Sequence, residues 1–265
     1  MKWAWIGAGC VAVGGWFASA VANPGTGARG ELVPFGHGER LVYELSWYNL
    51  VGGTATLEVE AADQGGTPVF RVRSLAKSNE FVSLFFPVED RIESLIDRDG
   101  LYALRLDVHQ QEGKRNRERL TEFDQVSHTA TVMKQGERRV FDVPPAVQDS
   151  LSALYYFRSL PPIRVGQTVM INVHESSKNW RLAIVGLDRE TVTTPAGTFH
   201  TVRTRAQVEF EGVFLDRGEV FIWFSDDARR LPVQMKSKIK IGKITARLSE
   251  YTLTRSLEAS QGGGP

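Results

Sequence analysis

Cysteine is all but missing from this 265-residue chain: Cys10 is the only one. A single thiol excludes an intramolecular disulfide and, by itself, a structural zinc site. Charge of one sign is missing as well. The 32 Lys and Arg stand against 31 Asp and Glu, for a formal net charge of +1. No global field draws this chain to nucleic acid or to an anionic surface. Catalytic signatures are absent too. The five histidines, His37, His109, His128, His174 and His200, stand singly, with no HxH or HExxH spacing. Any metal site would need distant strands to converge. There is no GxSxG elbow, so serine-hydrolase chemistry lacks its local frame. The carboxylate pairs Glu89-Asp90 and Asp226-Asp227 are adjacent in sequence, where side chains diverge, and do not form an acid/base couple across one bond. No metal, cofactor or catalytic set is expected, and a hydrolase ranks third among the readings.

What is present begins with an address. Met1-Lys2 precedes an uncharged apolar run, Trp3 to Ala20, which ends in Ala18-Ser19-Ala20-Val21-Ala22 and then Asn23-Pro24-Gly25. A positive start, an apolar core and small-x-small endings describe a signal peptide over residues 1–22, with cleavage after Ala22 preferred. An uncleaved anchor stays open, because 18 apolar residues approach the roughly 20 that span a bilayer. Lipidation at Cys10 also stays open. Against it, the apolar run continues past the cysteine and Gly7 stands where a leucine is usual. Removal of residues 1–22 takes away Lys2 and Cys10, leaving a cysteine-free, formally neutral protein suited to a Gram-negative periplasm or outer envelope.

Period-two alternation dominates from about residue 39 to 253. Ala55, Leu57, Val59 and Ala61 oppose Thr56, Glu58 and Glu60; Tyr102, Leu104, Leu106 and Val108 oppose Arg105 and Asp107; Val169, Ile171 and Val173 share a face. Val202, Ala206, Val208 and Phe210 oppose Arg203, Arg205, Gln207 and Glu209, and Met235, Ile239 and Ile241 oppose Lys236, Lys238 and Lys240. Strands with one wet and one packed face belong to antiparallel sheets. Turn signals fall between them at Gly52-Gly53, Asp63–Gly66, Arg98–Gly100, Gln135-Gly136, Pro195–Gly197 and Ile241–Lys243. About thirteen strands at short spacing predict an all-β, mainly antiparallel meander curled into a half-barrel or open barrel. One helix is expected over Asp149–Leu160, capped by Asp149 or Ser150 and stopped by Pro161-Pro162. A short helical stretch, Ser78–Phe86, is cut by Pro87. Residues 23–37 read as a flexible lead, 38–254 as one domain, and 255–265 as a disordered tail.

The order of motifs is familiar. Gly38–Tyr43 leads to Trp47 and Gly52-Gly53, then Asp149-Ser150-Leu151-Ser152-Ala153-Leu154-Tyr155-Tyr156-Phe157-Arg158. Next come Thr194-Pro195-Ala196-Gly197-Thr198-Phe199, then Ile222-Trp223-Phe224-Ser225-Asp226-Asp227 with Arg230-Leu231-Pro232-Val233, and Gly242-Lys243-Ile244. Over residues 36 to 252 this resembles the DUF3108 family of exported bacterial proteins. The resemblance implies a β-rich periplasmic or envelope domain and carries no catalytic residues.

The leading expectation is a non-enzymatic protein that binds an apolar or amphipathic envelope molecule, a lipid or acyl chain, on the concave face of its sheet. Tyr43, Trp47, Phe85, Phe86, Tyr155, Tyr156, Trp223 and Arg158 are the candidate binding residues. For Asp149–Arg158 the structural alternative is a cap and a core-packed helix. For Phe81–Phe86 a core plug is preferred over a lid or a membrane-touching tip. Lys114–Arg119 reads as a solvated basic turn without the aromatic interleaving that nucleic acid demands. A non-catalytic interaction or structural module of the envelope, with envelope proteins as partners or peripheral membrane contact, is the alternative.

Overall fold

Alternation over most of the chain leaves little choice of element. The computed structural model describes residues 33–253, apart from 49, 211–212 and 240–241, and is built almost wholly of strands. In chain order these are β1 (Arg40–Trp47), β2 (Leu50–Gln64), β3 (Thr67–Ser78), β4 (Val88–Asp97), β5 (Ala103–Glu112), β6 (Arg115–Asp124), β7 (Thr129–Lys134), β8 (Glu137–Asp142), β9 (Thr168–Glu175), β10 (Lys178–Thr194), β11 (Gly197–Phe210), β12 (Val213–Ser225), β13 (Pro232–Ile239) and β14 (Gly242–Thr252). Two helices interrupt them: α1 (Glu80–Ser83) between β3 and β4, and α2 (Ser152–Ser159) between β8 and β9. The expected signal segment 1–22 and the tail 255–265 lie outside the described residues.

All fourteen strands form one antiparallel sheet in the order β8-β7-β6-β5-β4-β3-β2-β1-β14-β13-β12-β11-β10-β9. It is two meanders joined at the β1–β14 seam, with α2 crossing between the two outermost strands. The all-β expectation holds, with one strand more than expected. The outer edges do not pair as a ladder. Instead, residues 147–149 run beside β9, where the Gln148 N–H donates to the Asn172 carbonyl (2.9 Å) and the His174 N–H to the Gln148 carbonyl (2.8 Å). Asn179 Nδ2 donates to the Asp142 carbonyl at 2.7 Å, and Arg119 pairs with Glu175 at 2.5 Å. Side chains and a linker therefore hold together a sheet that strand pairing leaves open.

Register assigns the faces. Tyr43 stands opposite Ala55 and Leu248, Ala55 opposite Ala76, and Ala76 opposite Asp90. All point inward with Leu41, Leu57, Val72 and Ile96. The outward set is charged and paired across strands: Arg40–Glu58, Arg73–Glu93, Lys77–Glu89 and Arg203–Asp188. Opposite charges on neighbouring strands stabilise each exposed pair by roughly 0.2–1 kcal/mol. Two sequence details need correction. Gly52-Gly53 is no turn: it lies inside β2, at an irregularity in the pairing with β1. A Cβ on Gly53 would sit 2.2 Å from the Lys77 carbonyl oxygen, so only glycine permits this approach of the two strands. A bulge between β4 and β5 also shifts the face near Leu104, which is why Ala103 joins Leu106 in the core while Tyr102 and Leu104 stay half-exposed.

One end of the hollow is filled by α2. Tyr155 packs edge-on to Phe35 (4.9 Å between centroids), and Phe157 packs against Phe224 (4.9 Å). Phe35 is buried in this core, so the segment expected to be a loose lead to residue 37 is already structural from Pro34 onward. The helix starts at Ser152 rather than Asp149. Asp149 Oδ1 accepts the N–H groups of Leu151 (2.7 Å) and Ser152 (2.8 Å), and Ser152 Oγ accepts the Asp149 N–H (2.8 Å). Asp149 thus serves the helix start in the way the sequence suggests, from two residues before the cap position.

At its other end α2 is held by Arg158, fully buried against fully buried Glu39. Nη1 and Nη2 donate to the two Glu39 oxygens at 2.7 and 2.8 Å, while Nη2 also reaches the Pro34 carbonyl (3.2 Å) and Nε the Arg230 carbonyl (3.1 Å). The guanidinium lies over the rings of Tyr155 and Phe35, at 5.2 and 5.4 Å. Burial alone would pull the Arg158 pKa down; the Glu39 charge and hydrogen bonds more than offset this and raise it, so the group stays cationic. Removing one partner leaves an uncompensated buried charge. Arg158→Ala should lower unfolding free energy by about 3–5 kcal/mol, read from the urea midpoint. A loss under about 1 kcal/mol would mean the pair does not anchor the helix.

Candidate functional site

Because neighbouring strands alternate direction, their turns alternate between two ends. The end with the β2–β3, β4–β5, β10–β11 and β12–β13 connections is closed by α2. At the other end, inward-pointing side chains remain partly exposed: Ala55, Ala76 and Ile92 on one wing, with Leu182, Ala206, Ile222 and Met235 on the other. Their inward direction follows from register, through Tyr43↔Ala55, Ala55↔Ala76, Ala246↔Met235, Met235↔Ile222 and Ala206↔Ile184. A side chain that faces the hollow and is still wetted lines an open cup. Two hollows in the described packing are small. One of about 90 Å³ lies beside Phe157, Arg158, Pro162, Phe224 and Arg230 at the closed end. Another of about 10 Å³ lies among Leu45, Gly53, Ala76, Val88 and Asp90. Neither approaches the roughly 300–1,000 Å³ of a drug-sized site. The part-exposed inward wall, which packs against the core below and includes the smaller of these hollows, is the candidate site.

Its wall carries a polar stripe on the inner face of β4, β5 and β6. Asp90, Gln110 and Arg117 stand side by side, as do Glu112 and Arg115. Asp90 and Glu112 are buried, and each keeps one oxygen, Oδ1 and Oε1, without a hydrogen-bond partner among the described residues. Burial, with the Glu112 charge adding to it, pushes the Asp90 carboxyl up to about 6. Deeper in, Asp149 Oδ2 accepts from Ser94 Oγ at 2.6 Å. Burial raises the Asp149 carboxyl to about 6 despite that bond and the two backbone N–H groups it accepts. An apolar wall beside a polar stripe can take a molecule with a chain and a polar head.

The eight sequence candidates do not converge there. Tyr43 is buried and donates its hydroxyl to the Pro232 carbonyl at 2.8 Å. Tyr155 and Arg158 belong to the core around Glu39. Asp149 and Arg158 therefore form no binding pair; they fasten opposite ends of α2. Trp223 is buried in the core, on the strand face it shares through register with Arg203 and Gln234, its Nε1 donating to Glu190 Oε1 (2.6 Å) and its ring covered by Lys236 Nζ at 4.9 Å. It is the neighbours Ile222 and Phe224 that face inward, Phe224 onto α2. Tyr156 is half-buried on α2, next to Leu154. Trp47, Phe85 and Phe86 sit at the open rim. Phe81–Phe86 is not the expected core plug: Phe81, Leu84 and Phe85 are 70, 79 and 78% exposed, while Val82 and Phe86 are half-buried, Val82 against Gly52 and the Phe86 ring over Gly113. Ala55, Ala76, Ile92, Ile222 and Met235 were missed as site residues. Their alternation was visible, but nothing local tells a filled stretch of concave wall from an open one.

This architecture, an open antiparallel basket with a helix in one end, defines a β-barrel-like protein. A family model described as a protein of unknown function (DUF3108) matches residues 42–249, and the chain belongs to that family. A solved β-barrel-like protein, a domain of unknown function DUF1849 from Brucella abortus, is similar at TM-score 0.55 and 8% identity, covering 83% of this chain and 99% of that one. That likeness concerns the fold alone. Weaker likenesses link 83% of the chain to a candidate exported protein with a YmcC-like fold from Bacteroides fragilis (TM-score 0.33, 11% identity, 97% of that chain) and to a candidate lipoprotein from Parabacteroides distasonis (0.34, 11%, 98%). No curated protein matches the chain at a significant level.

The carboxyl pKa values make a pH prediction. A folded-state value above the unfolded one stabilises at low pH, and that stability is lost as pH rises through the folded value. For Asp149 the window runs from about 3.8 to about 6. Asp149→Asn keeps the shape and should flatten the fall in urea midpoint between pH 4 and pH 7 relative to wild type. An unchanged difference between the two proteins across that range would show that Asp149 does not titrate as its burial requires.

Proposed function

We propose that the protein is a non-enzymatic, exported envelope component that holds an apolar or amphipathic molecule, a lipid or acyl chain, in the open half of its basket. The observation that supports this reading is the set of inward-facing but wetted apolar side chains, Ala55, Ala76, Ile92, Leu182, Ile222 and Met235, above the plug made by α2. Covering such a wall releases about 25 cal/mol per Å² of apolar area. The polar stripe of Asp90, Gln110 and Arg117 gives a head group somewhere to go without leaving water. Export rests on the N-terminal pattern of Lys2, the Trp3–Ala20 run and Ala20-Val21-Ala22. No cofactor is part of this reading.

The second reading, an interaction module of the envelope, is favoured by the exposed Phe81, Leu84 and Phe85 and concerns the rim rather than the hollow.

Native mass spectrometry of protein isolated without detergent tests the first reading. Wild type should carry a single acyl-bearing adduct. Ala76→Trp, which fills the cup, should lose the adduct while keeping its thermal melt. A clean apo mass for wild type, or an adduct undiminished by Ala76→Trp, would overturn it.

A further inference from the structure

Part of the open rim is apolar in a way the rest of the described surface is not. Tyr48, Leu50 and Val51 at the β1–β2 turn are 64, 70 and 49% exposed, beside Trp47, whose ring lies edge-on to Tyr48 at 5.2 Å. The β3–β4 connection adds Phe81, Leu84 and Phe85, with Phe81 and Phe85 rings 5.8 Å apart. These two connections are fastened together. Asn79 Nδ2 donates to the Val51 carbonyl and the Asn79 N–H to the Gly52 carbonyl, each at 2.8 Å. A third is fastened to them: the Gly113 N–H donates to the Pro87 carbonyl at 2.8 Å under the Phe86 ring. That connection carries Lys114 at its tip and Arg115 as the first residue of β6, both exposed and, among the described residues, in no ion pair. Within residues 47–51 and 79–87, Glu80 is the only charged side chain.

We infer that this rim is a membrane-docking surface that seats the mouth of the basket on a bilayer with anionic headgroups. Large apolar and aromatic side chains on short, braced connections enter the interfacial zone without refolding, and Trp and Tyr are suited to the headgroup level. Lys114 and Arg115 lie where the headgroup phosphates would be, at a site where each cation strengthens attachment to an anionic surface. A protein partner accounts for the apolar tips equally well but gives no reason for unpaired cations directly beside them. The inference rests on the rim and not on what the hollow holds. It goes beyond the carrier reading by stating which end meets the lipid.

Flotation of the full chain with phosphatidylethanolamine vesicles, with and without phosphatidylglycerol, tests it. Any contribution of the N-terminal apolar run is common to every variant, so differences between variants report the rim. Wild type should float with the phosphatidylglycerol vesicles and more weakly without that lipid. Phe81→Ser/Leu84→Ser/Phe85→Ser should lower the vesicle-bound fraction roughly tenfold or more. Lys114→Gln/Arg115→Gln should lower it by a similar factor on anionic vesicles only. Should the triple variant lose its cooperative melt, Phe85→Ser alone, at a largely solvated position, carries the same test with a smaller loss. Variants that float like wild type would overturn the proposal. So would a rim-dependent dimer of wild type that ignores vesicles, which would point to a second copy of the chain. Loss of flotation with an intact acyl adduct on wild type would sink the docking surface and spare the carrier reading. The reverse result would do the opposite.

Discussion

A single buried ion pair, Arg158 with Glu39, decides the shape of the interior. Both side chains are fully buried, and each is tolerable there only because the other is present and the remaining donors find the Pro34, Arg229 and Arg230 carbonyls. The pair ties the end of the central helix to the residue just before the first strand, across 119 residues of sequence. The bond from Ser94 to Asp149 ties the start of the same helix to the fourth strand. With both ends fixed, the helix fills one half of the hollow and leaves the other without a plug. A fourteen-stranded sheet whose edges do not pair could otherwise flatten or roll further; a helix clamped to both meanders sets its curvature.

From that constraint the division of surfaces follows. The convex face is a lattice of opposite charges on neighbouring strands, which suits water and blunts association. The concave face is apolar, filled where the helix lies and wetted beyond it. The rim around the wetted half is the one described region where several large apolar side chains are exposed together. Docking at the rim and occupancy of the cup would be two uses of the same opening.

Much of this architecture was legible in sequence because it repeats every two residues. Glu58 beside Leu57, or Arg203 beside Val202, states its face without tertiary information, and Pro161-Pro162 marks where the helix must stop. The site was not legible for the converse reason. Tyr43, Tyr155, Arg158 and Trp223 attract notice as large or charged residues in motifs, yet all four are buried by their packing partners. Size and motif membership report packing demands as readily as binding. The wall of the cup is built from Ala55, Ala76, Ala206 and Ile222, ordinary residues whose meaning lies in what fails to cover them. Phe81–Phe86 misled in the other direction: its hydrophobicity suggested burial, whereas the Asn79 cap and Pro87 force a tight connection too short to fold its tips back onto the sheet.

Everything proposed for the hollow depends on the helix-free half of the basket being lined by uncovered apolar side chains. A crystal structure of protein taken from the envelope without removal of lipid tests it most directly. Elongated apolar density is expected between Ala55 and Ala76 on one wing and Ile222 and Met235 on the other. Collapse of those wings onto each other, side chain against side chain with no room between, would contradict it.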